Sequence, residues 1–167
     1  INDITFLLSL MPVAPRHSLF FSATISPAVQ GLIAQLTKNP ITVSVKSRDT
    51  AANVDQDIIR VSDRSKKIDM LKDLLHKVEF SKVLIFGRTK HGVEKLSHIL
   101  VEKGFKAGSI HSNKSQSSRQ KTLNLFKQNV IKILVATDVA ARGLDIFGVS
   151  HVINFDMPAT YEDYIHR

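Results

Sequence analysis

From about residue 57 onward, short apolar runs and longer stretches of helical spacing take turns without interruption. The runs lie near 57–62, 82–87, 106–110, 131–136 and 150–154, and the helical stretches near 64–78, 90–103, 115–128 and 160–166. Few folds accept this pattern. Two neighbouring strands joined through a helix run parallel, because only the crossover returns the chain to the same edge. The expectation is an α/β fold with right-handed crossovers and a parallel sheet covered by helices on both faces, three layers in all. In such sheets ligands bind at the carboxyl ends of the strands. The polar residues directly after each apolar run are therefore the candidate site.

The chain before residue 57 has a different character. Residues 4–11 (ITFLLSLM) read as an apolar helix ended by Pro12 and Pro15. Residues 17–21 read as a strand, followed by Ser22, Ala23 and Thr24. Ser26 and Pro27 then open a helix that carries Val29, Leu32, Ile33 and Leu36 to about Lys38, and 41–45 read as a short strand. Two strands and two helices lack partners to enclose a core. Residues 46–56 (KSRDTAANVDQ) are polar without a hydrophobic period and read as a linker. The division expected is 1–45, linker 46–56, and 57–167 as most of one α/β domain. The chain starts at Ile1 rather than Met and stops at Arg167 directly after an apparent helix, so both ends read as cut.

Charge narrows the partners. The formal net charge is +8, with no run of five Lys or Arg, which places the surplus on a folded face rather than in a basic tail. Such a face suits a polyanion, nucleic acid before an anionic membrane. The absence of cysteine excludes disulfides and thiolate metal sites, and the seven histidines include no H-x-x-x-H pair, so no metal site is expected. No apolar stretch approaches a membrane span and no signal-peptide layout opens the chain. No membrane partner is expected, and cytoplasmic localisation is the default.

The densest polar strand end is in residues 131–146, IKILVATDVAARGLDI. An apolar strand there breaks to Thr137 and Asp138, then runs through Arg142, Gly143 and Asp145. On spacing alone this is a polar strand-to-helix turn with a capping side chain. The segment ATDVAARGLDI, however, resembles motif V of the DEAD-box RNA helicases. The chain is similar to that family from end to end, and most to its bacterial RhlE-like branch. The resemblance implies a RecA-like (P-loop NTPase-type) helicase C-terminal domain over 57–167, cut within motif VI. It also implies that 1–45 is the end of a first RecA-like domain, the rest of which is missing and would be the partner.

Site residues follow from the same resemblance. Ser22, Ala23 and Thr24 match motif III, which couples nucleotide state to unwinding; otherwise they are turn residues. Arg88 and Thr89, in VLIFGRTK, match motif IV as RNA-backbone contacts, although Gly87 is not the residue the resemblance leads one to expect. In IHSNKSQSSR, Ser115 reads as an N-cap, and Gln116 and Arg119 share a helix face. They match motif IVa on the RNA side, with Asn113 a branch feature and Ser112 a mild departure. Thr137 would contact an RNA phosphate, which a hydroxyl does without reading bases. Gly143 and Asp145 would bind ATP, Asp145 at the ribose hydroxyls. Arg142 would bridge the two domains. His166 and Arg167 match the start of motif VI; taken alone they read as a frayed polar C-terminus, and Asp138 as a simple cap.

The catalytic parts are absent from these 167 residues. No glycine precedes a lysine, so there is no phosphate-cradling G-x-x-x-x-G-K-[ST], and no Asp precedes a Glu to hold Mg²⁺. The arginine-finger positions are absent too. The expectation is an ATP- and Mg²⁺-dependent RNA helicase as the intact protein, binding RNA through its backbone. These residues alone are expected to be inactive. Ribosome-assembly or RNA-degradation proteins are the partners the RhlE-like resemblance suggests. Three other readings compete: a helicase or translocase acting on DNA, a non-enzymatic RNA-binding module, and a small-nucleotide-binding α/β domain.

Overall fold

The structure, a computed structural model, describes residues 2–11, 17–22, 25, 27–44, 54–141, 144 and 146–167. The chain divides into two compact units, residues 1–47 and 48–167.

In the first unit, α1 spans Asn2–Ser9 and α2 spans Pro27–Leu36. The strands expected over 17–21 and 41–45 are not found among the described residues, which run there without regular structure. An apolar run becomes a strand only when a neighbour takes up its backbone N–H and C=O groups. Among the described residues no strand pairs with either run. Phe6, Leu7, Leu10, Leu19, Phe21, Ile41 and Val43 are all exposed.

The second unit carries the sheet. Its order is α3 (Lys67–Leu75), β1 (Val83–Phe86), α4 (Lys90–Glu102), β2 (Ala107–Ile110), α5 (Gln116–Lys127), β3 (Ile133–Ala136), α6 (Asp138–Ala141), β4 (His151–Asn154) and α7 (Tyr161–His166), with one 3₁₀ turn at Arg64–Lys66. The four strands lie in the order β2-β3-β1-β4 and every pairing is parallel. The run at 57–62, expected as a fifth strand, is not one; residues 54–61 have no regular structure and Ile58 and Ile59 are exposed. The run carries Ile58, Ile59 and Val61, but among the described residues no ladder joins it to the sheet.

All four residues of β1 and all four of β3 are buried, as a strand covered on both faces requires. Because side chains alternate along a strand, each strand feeds two cores. Val83, Ile85, Ile133 and Val135 point to one face, where they meet Leu71 and Leu75 of α3 and Val93, Leu96 and Leu100 of α4. Leu84, Phe86, Ile110, Leu134 and Ala136 point to the other, against Leu123 and Phe126 of α5 and Ala140 of α6. The helices earn these places by spacing: Val93, Leu96 and Leu100 fall at i, i+3 and i+7. The three-layer parallel fold expected from the sequence is the one observed.

The register fixes what meets at the carboxyl edge. Phe86 pairs with Ala136 and with Asn154, and Ile110 pairs with Ala136. The turns after β1, β2, β3 and β4 therefore emerge at one level of the sheet.

Candidate nucleic-acid interface

Each turn at that edge opens with a helix N-terminus or leads to one. Thr89 caps α4, its hydroxyl accepting from the backbone N–H of Gly92 at 3.0 Å. Ser115 caps α5, accepting from the N–H of Ser118 at 3.2 Å, as expected. Thr160 caps α7, accepting from the N–H of Asp163 at 3.1 Å. Unpaired N–H groups at such ends favour anions.

Gly87, the unexpected residue of the β1 turn, has a steric reason. A β carbon there would lie 2.8 Å from the Val93 Cγ2 methyl in the core beneath α4. The next N–H, that of Arg88, donates to Asp156 Oδ2 at 2.9 Å, tying the turn after β1 to the turn after β4. Asp156 also pairs with Lys67 at 3.4 Å, and the Lys67 ammonium lies 4.1 Å from the Phe155 ring centre. This leaves the Arg88 side chain exposed at the rim of an open cleft of about 640 Å³, lined also by Ile59, Val61, Asn154 and Met157.

After β2 the polar groups form a network. Glu94 of α4 accepts from the Ser109 hydroxyl, from His111 Nε2 at 3.0 Å and from Lys114 Nζ at 3.2 Å, while its second oxygen faces His98 at 3.3 Å. His111, with a side chain only 7% exposed, accepts at Nδ1 from the Asn113 N–H. The ring proton therefore sits on Nε2 and is given to Glu94. Burial raises the Glu94 pKa, but hydrogen bonds from Ser109, His111 and Lys114, with the Lys114 charge, outweigh it and hold the carboxyl at about 2. Asn113 accepts from Lys90 Nζ at 2.9 Å.

Gln116 and Arg119 do share a face, joined at 3.3 Å through Arg119 Nη1. Arg119 also donates from Nη2 to the Ala140 carbonyl of α6 at 3.4 Å, and its buried Nε has no partner. Thr137 is half-buried, and its carbonyl accepts from the N–H groups of Ala140 and Ala141 to start α6. Arg88, Thr89, Gln116, Arg119 and Thr137 thus lie on the turns or first helical turns of one sheet edge. The Thr89 oxygen accepts in the cap while its hydroxyl proton can still be donated, so Thr89 and its neighbour Arg88 both carry donors at this turn.

Arg167 is the large departure from expectation. Far from fraying, its side chain is 2% exposed. Nε and Nη2 grip both oxygens of Asp138 at 2.6 and 2.9 Å, and Nη1 donates to Asn154 Oδ1 at 2.9 Å and to the Asp156 carbonyl at 2.7 Å. The guanidinium lies 5.0 Å from the Phe86 ring centre. Asp138, read as a simple cap, is the carboxylate this cation needs. Nothing in the spacing of positions 138 and 167 announces the pair. His166 is exposed on α7. Ser22 lies exposed in the first unit, and Ala23, Thr24, Arg142, Gly143 and Asp145 lie outside the described residues.

Comparison with known proteins places this edge in a family. The helicase conserved C-terminal domain model matches residues 66–167. The chain belongs to the helicase conserved C-terminal domain family. Among curated relatives, DEAD-box ATP-dependent RNA helicase CshA of Bacillus licheniformis and that of Geobacillus kaustophilus are each 43% identical over the whole chain. The chain spans 34% and 36% of their lengths. Solved structures agree on the RecA-like helicase fold. A DEAD-box protein from Methanococcus jannaschii is 35% identical with a TM-score of 0.65, covering all of this chain and 44% of that one. Saccharomyces cerevisiae Dbp5 bound to RNA and ADP BeF3 is 27% identical with a TM-score of 0.75, over 88% of this chain and 39% of that one. Escherichia coli SrmB bound to regulator of ribonuclease activity A is 37% identical with a TM-score of 0.60, over 63% of this chain and 62% of that one. In this helicase domain no helix among the described residues is long and apolar enough to cross a membrane.

Proposed function

We propose that this chain supplies the second half of the core of an ATP-dependent RNA helicase, with residues 57–167 as its second RecA-like domain. Residues 1–45 are then the end of the first domain and 46–56 the linker. The observation that carries the reading is the carboxyl edge of the sheet. It sets Arg88, Thr89, Gln116, Arg119 and Thr137 at or beside the capped N-termini of α4 and α5. Guanidinium, amide and hydroxyl groups beside helix N-termini suit phosphates rather than base edges, so binding is largely independent of sequence. The RhlE-like assignment rests on the run from His111 to Gln116. Ribosome-assembly or RNA-degradation proteins remain the partners of choice.

ATP would be shared with the rest of the first domain. Gly143 and Asp145 would receive its ribose side, and Arg142 would close against the other domain. When bound, ATP supplies the free energy for closing the two domains around RNA. Among the described residues no group of three His, Asp or Glu side chains could hold a metal. The Arg167 guanidinium is already committed to four acceptor atoms on Asp138, Asn154 and Asp156. Mg²⁺ and the hydrolytic groups would come from the rest of the intact protein, and this chain alone is expected to hydrolyse no ATP and to unwind nothing.

The test is binding of a fluorescein-labelled single-stranded RNA across a salt series. Arg88→Ala should weaken binding and lower the slope of log affinity against log salt by about 0.7, one phosphate contact on a single strand. Thr137→Val, which keeps shape and removes the hydroxyl, should weaken binding with little change in slope. Parent-like affinity in both variants would mean that only the diffuse positive charge attracts RNA.

A further inference from the structure

The Glu94 network has no place in the contacts assigned so far. Lys90, Glu94 and His98 stand at i, i+4 and i+8 along one face of α4. That face runs beneath the end of β2 and the turn that follows it. Ser109, His111 and Lys114 all converge on one Glu94 oxygen, and Lys90 holds Asn113. The turn closes on itself through the Lys114 N–H, which donates to the His111 carbonyl at 3.1 Å, and α5 starts two residues later at Gln116.

A carboxylate here is electrostatically out of place. Lys90, one turn before it on α4, and Lys114, bonded to it, both favour a polyanion, and a negative charge beside them repels one. Yet Glu94 is 36% exposed and fully engaged, with partners on both oxygens. A group that opposes the ligand's charge but fastens the loop carrying the ligand's contacts acts through geometry.

We propose that Glu94 is a positioning residue for the RNA edge: it touches no phosphate, and it fixes the His111–Lys114 turn so that the α5 N-terminus, Gln116 and Arg119 face the RNA backbone. The proposal rests on the RNA-binding reading of that edge. It also accounts for His111, whose two ring nitrogens link Glu94 to the Asn113 backbone and so transmit the anchor across the turn.

Charge and position make opposite predictions, which gives the test its force. If Glu94 acts only through its charge, or only by drawing Lys114 away from RNA, then Glu94→Gln tightens binding. If it positions the turn, Glu94→Gln weakens binding despite removing a repulsive charge, by about fivefold, the worth of a net hydrogen bond. The assay is anisotropy of the same labelled single-stranded RNA at low salt, with Arg88→Ala as a contact outside the network. In ¹⁵N spectra of Glu94→Gln, amide signals of residues 112–119 should move while those of β1 and β3 stay. Ser109→Ala, which removes one buried donor to Glu94, should give a smaller loss in the same direction and serves if Glu94→Gln does not fold. Weaker binding in Glu94→Gln and Arg88→Ala together supports the proposal. Unchanged or tighter binding in Glu94→Gln, with Arg88→Ala weakened, overturns it and leaves the RNA reading intact. Parent-like binding in Arg88→Ala and Thr137→Val together overturns both.

Discussion

Replacing Arg167 with methionine tests whether the last turn of this chain is a structural anchor. Methionine keeps an unbranched apolar stem over Phe86 and removes the guanidinium. Four hydrogen bonds are lost, two of them to the Asp138 carboxylate. Asp138 is 23% exposed, so water only partly replaces its partner. Removing one partner of a buried ion pair costs about 3–5 kcal/mol, and the remaining exposure of Asp138 puts the expected loss near the lower end, about 3 kcal/mol. Arg167→Lys keeps the charge but cannot reproduce the two-pronged grip, so it should lose most of the same stability. The assay is urea unfolding followed by circular dichroism, reading the midpoint at constant slope. A double-mutant cycle with Asp138→Asn should show coupling of about 2 kcal/mol, because both substitutions break the same contact. A loss below about 1 kcal/mol in Arg167→Met, with no coupling to Asp138, would refute the anchor and restore the frayed terminus.

Two further outcomes follow from the described geometry. Gly87→Ala should destabilise by about 2 kcal/mol, since its methyl would press on the buried Val93 at 2.8 Å, and the urea midpoint reports it. The depressed Glu94 pKa makes a sign-definite pH prediction. A carboxyl whose folded pKa is about 2 against an ordinary 4.5 adds stability above pH 4.5, and that stability is lost as pH falls from 4.5 towards 2. The groups facing it are Ser109, His111, Lys114 and His98. With solvent screening at this partly exposed site, the loss should be about 1 kcal/mol. Glu94→Gln should flatten this part of the acid unfolding profile, measured by urea midpoints between pH 5 and about pH 2.5.

Much of this protein was legible in the residues themselves. Alternating apolar runs and helical stretches called for a parallel three-layer sheet, because a helix between strands leaves few other ways to bury both. The motif-like strand ends pointed to the DEAD-box family, and the cap at Ser115 follows a local rule that needs no distant partner. Local chemistry also set the limits of that reading. The runs at 17–21, 41–45 and 57–62 have the composition of strands, yet among the described residues no ladder joins them to a neighbour. Strand identity is a property of pairs, so composition alone overstates it.

The site divides in the same way. Arg88, Thr89, Gln116, Arg119 and Thr137 could be named because they match the family's motifs, and the carboxyl edge of a parallel sheet gathers such residues whatever their sequence separation. The grip of Arg167 on Asp138, twenty-nine positions away, could not. Nor could the convergence of Ser109, His111 and Lys114 on Glu94. Pairing of charges depends on where turns place side chains in three dimensions, and it carries no periodic signature. The sequence by itself determined the layers, the family and the residues of the edge. Only the tertiary structure decided which of those polar groups are spent holding one another and which are left to meet a ligand, because that depends on distances of a few ångströms between turns the chain brings together from afar.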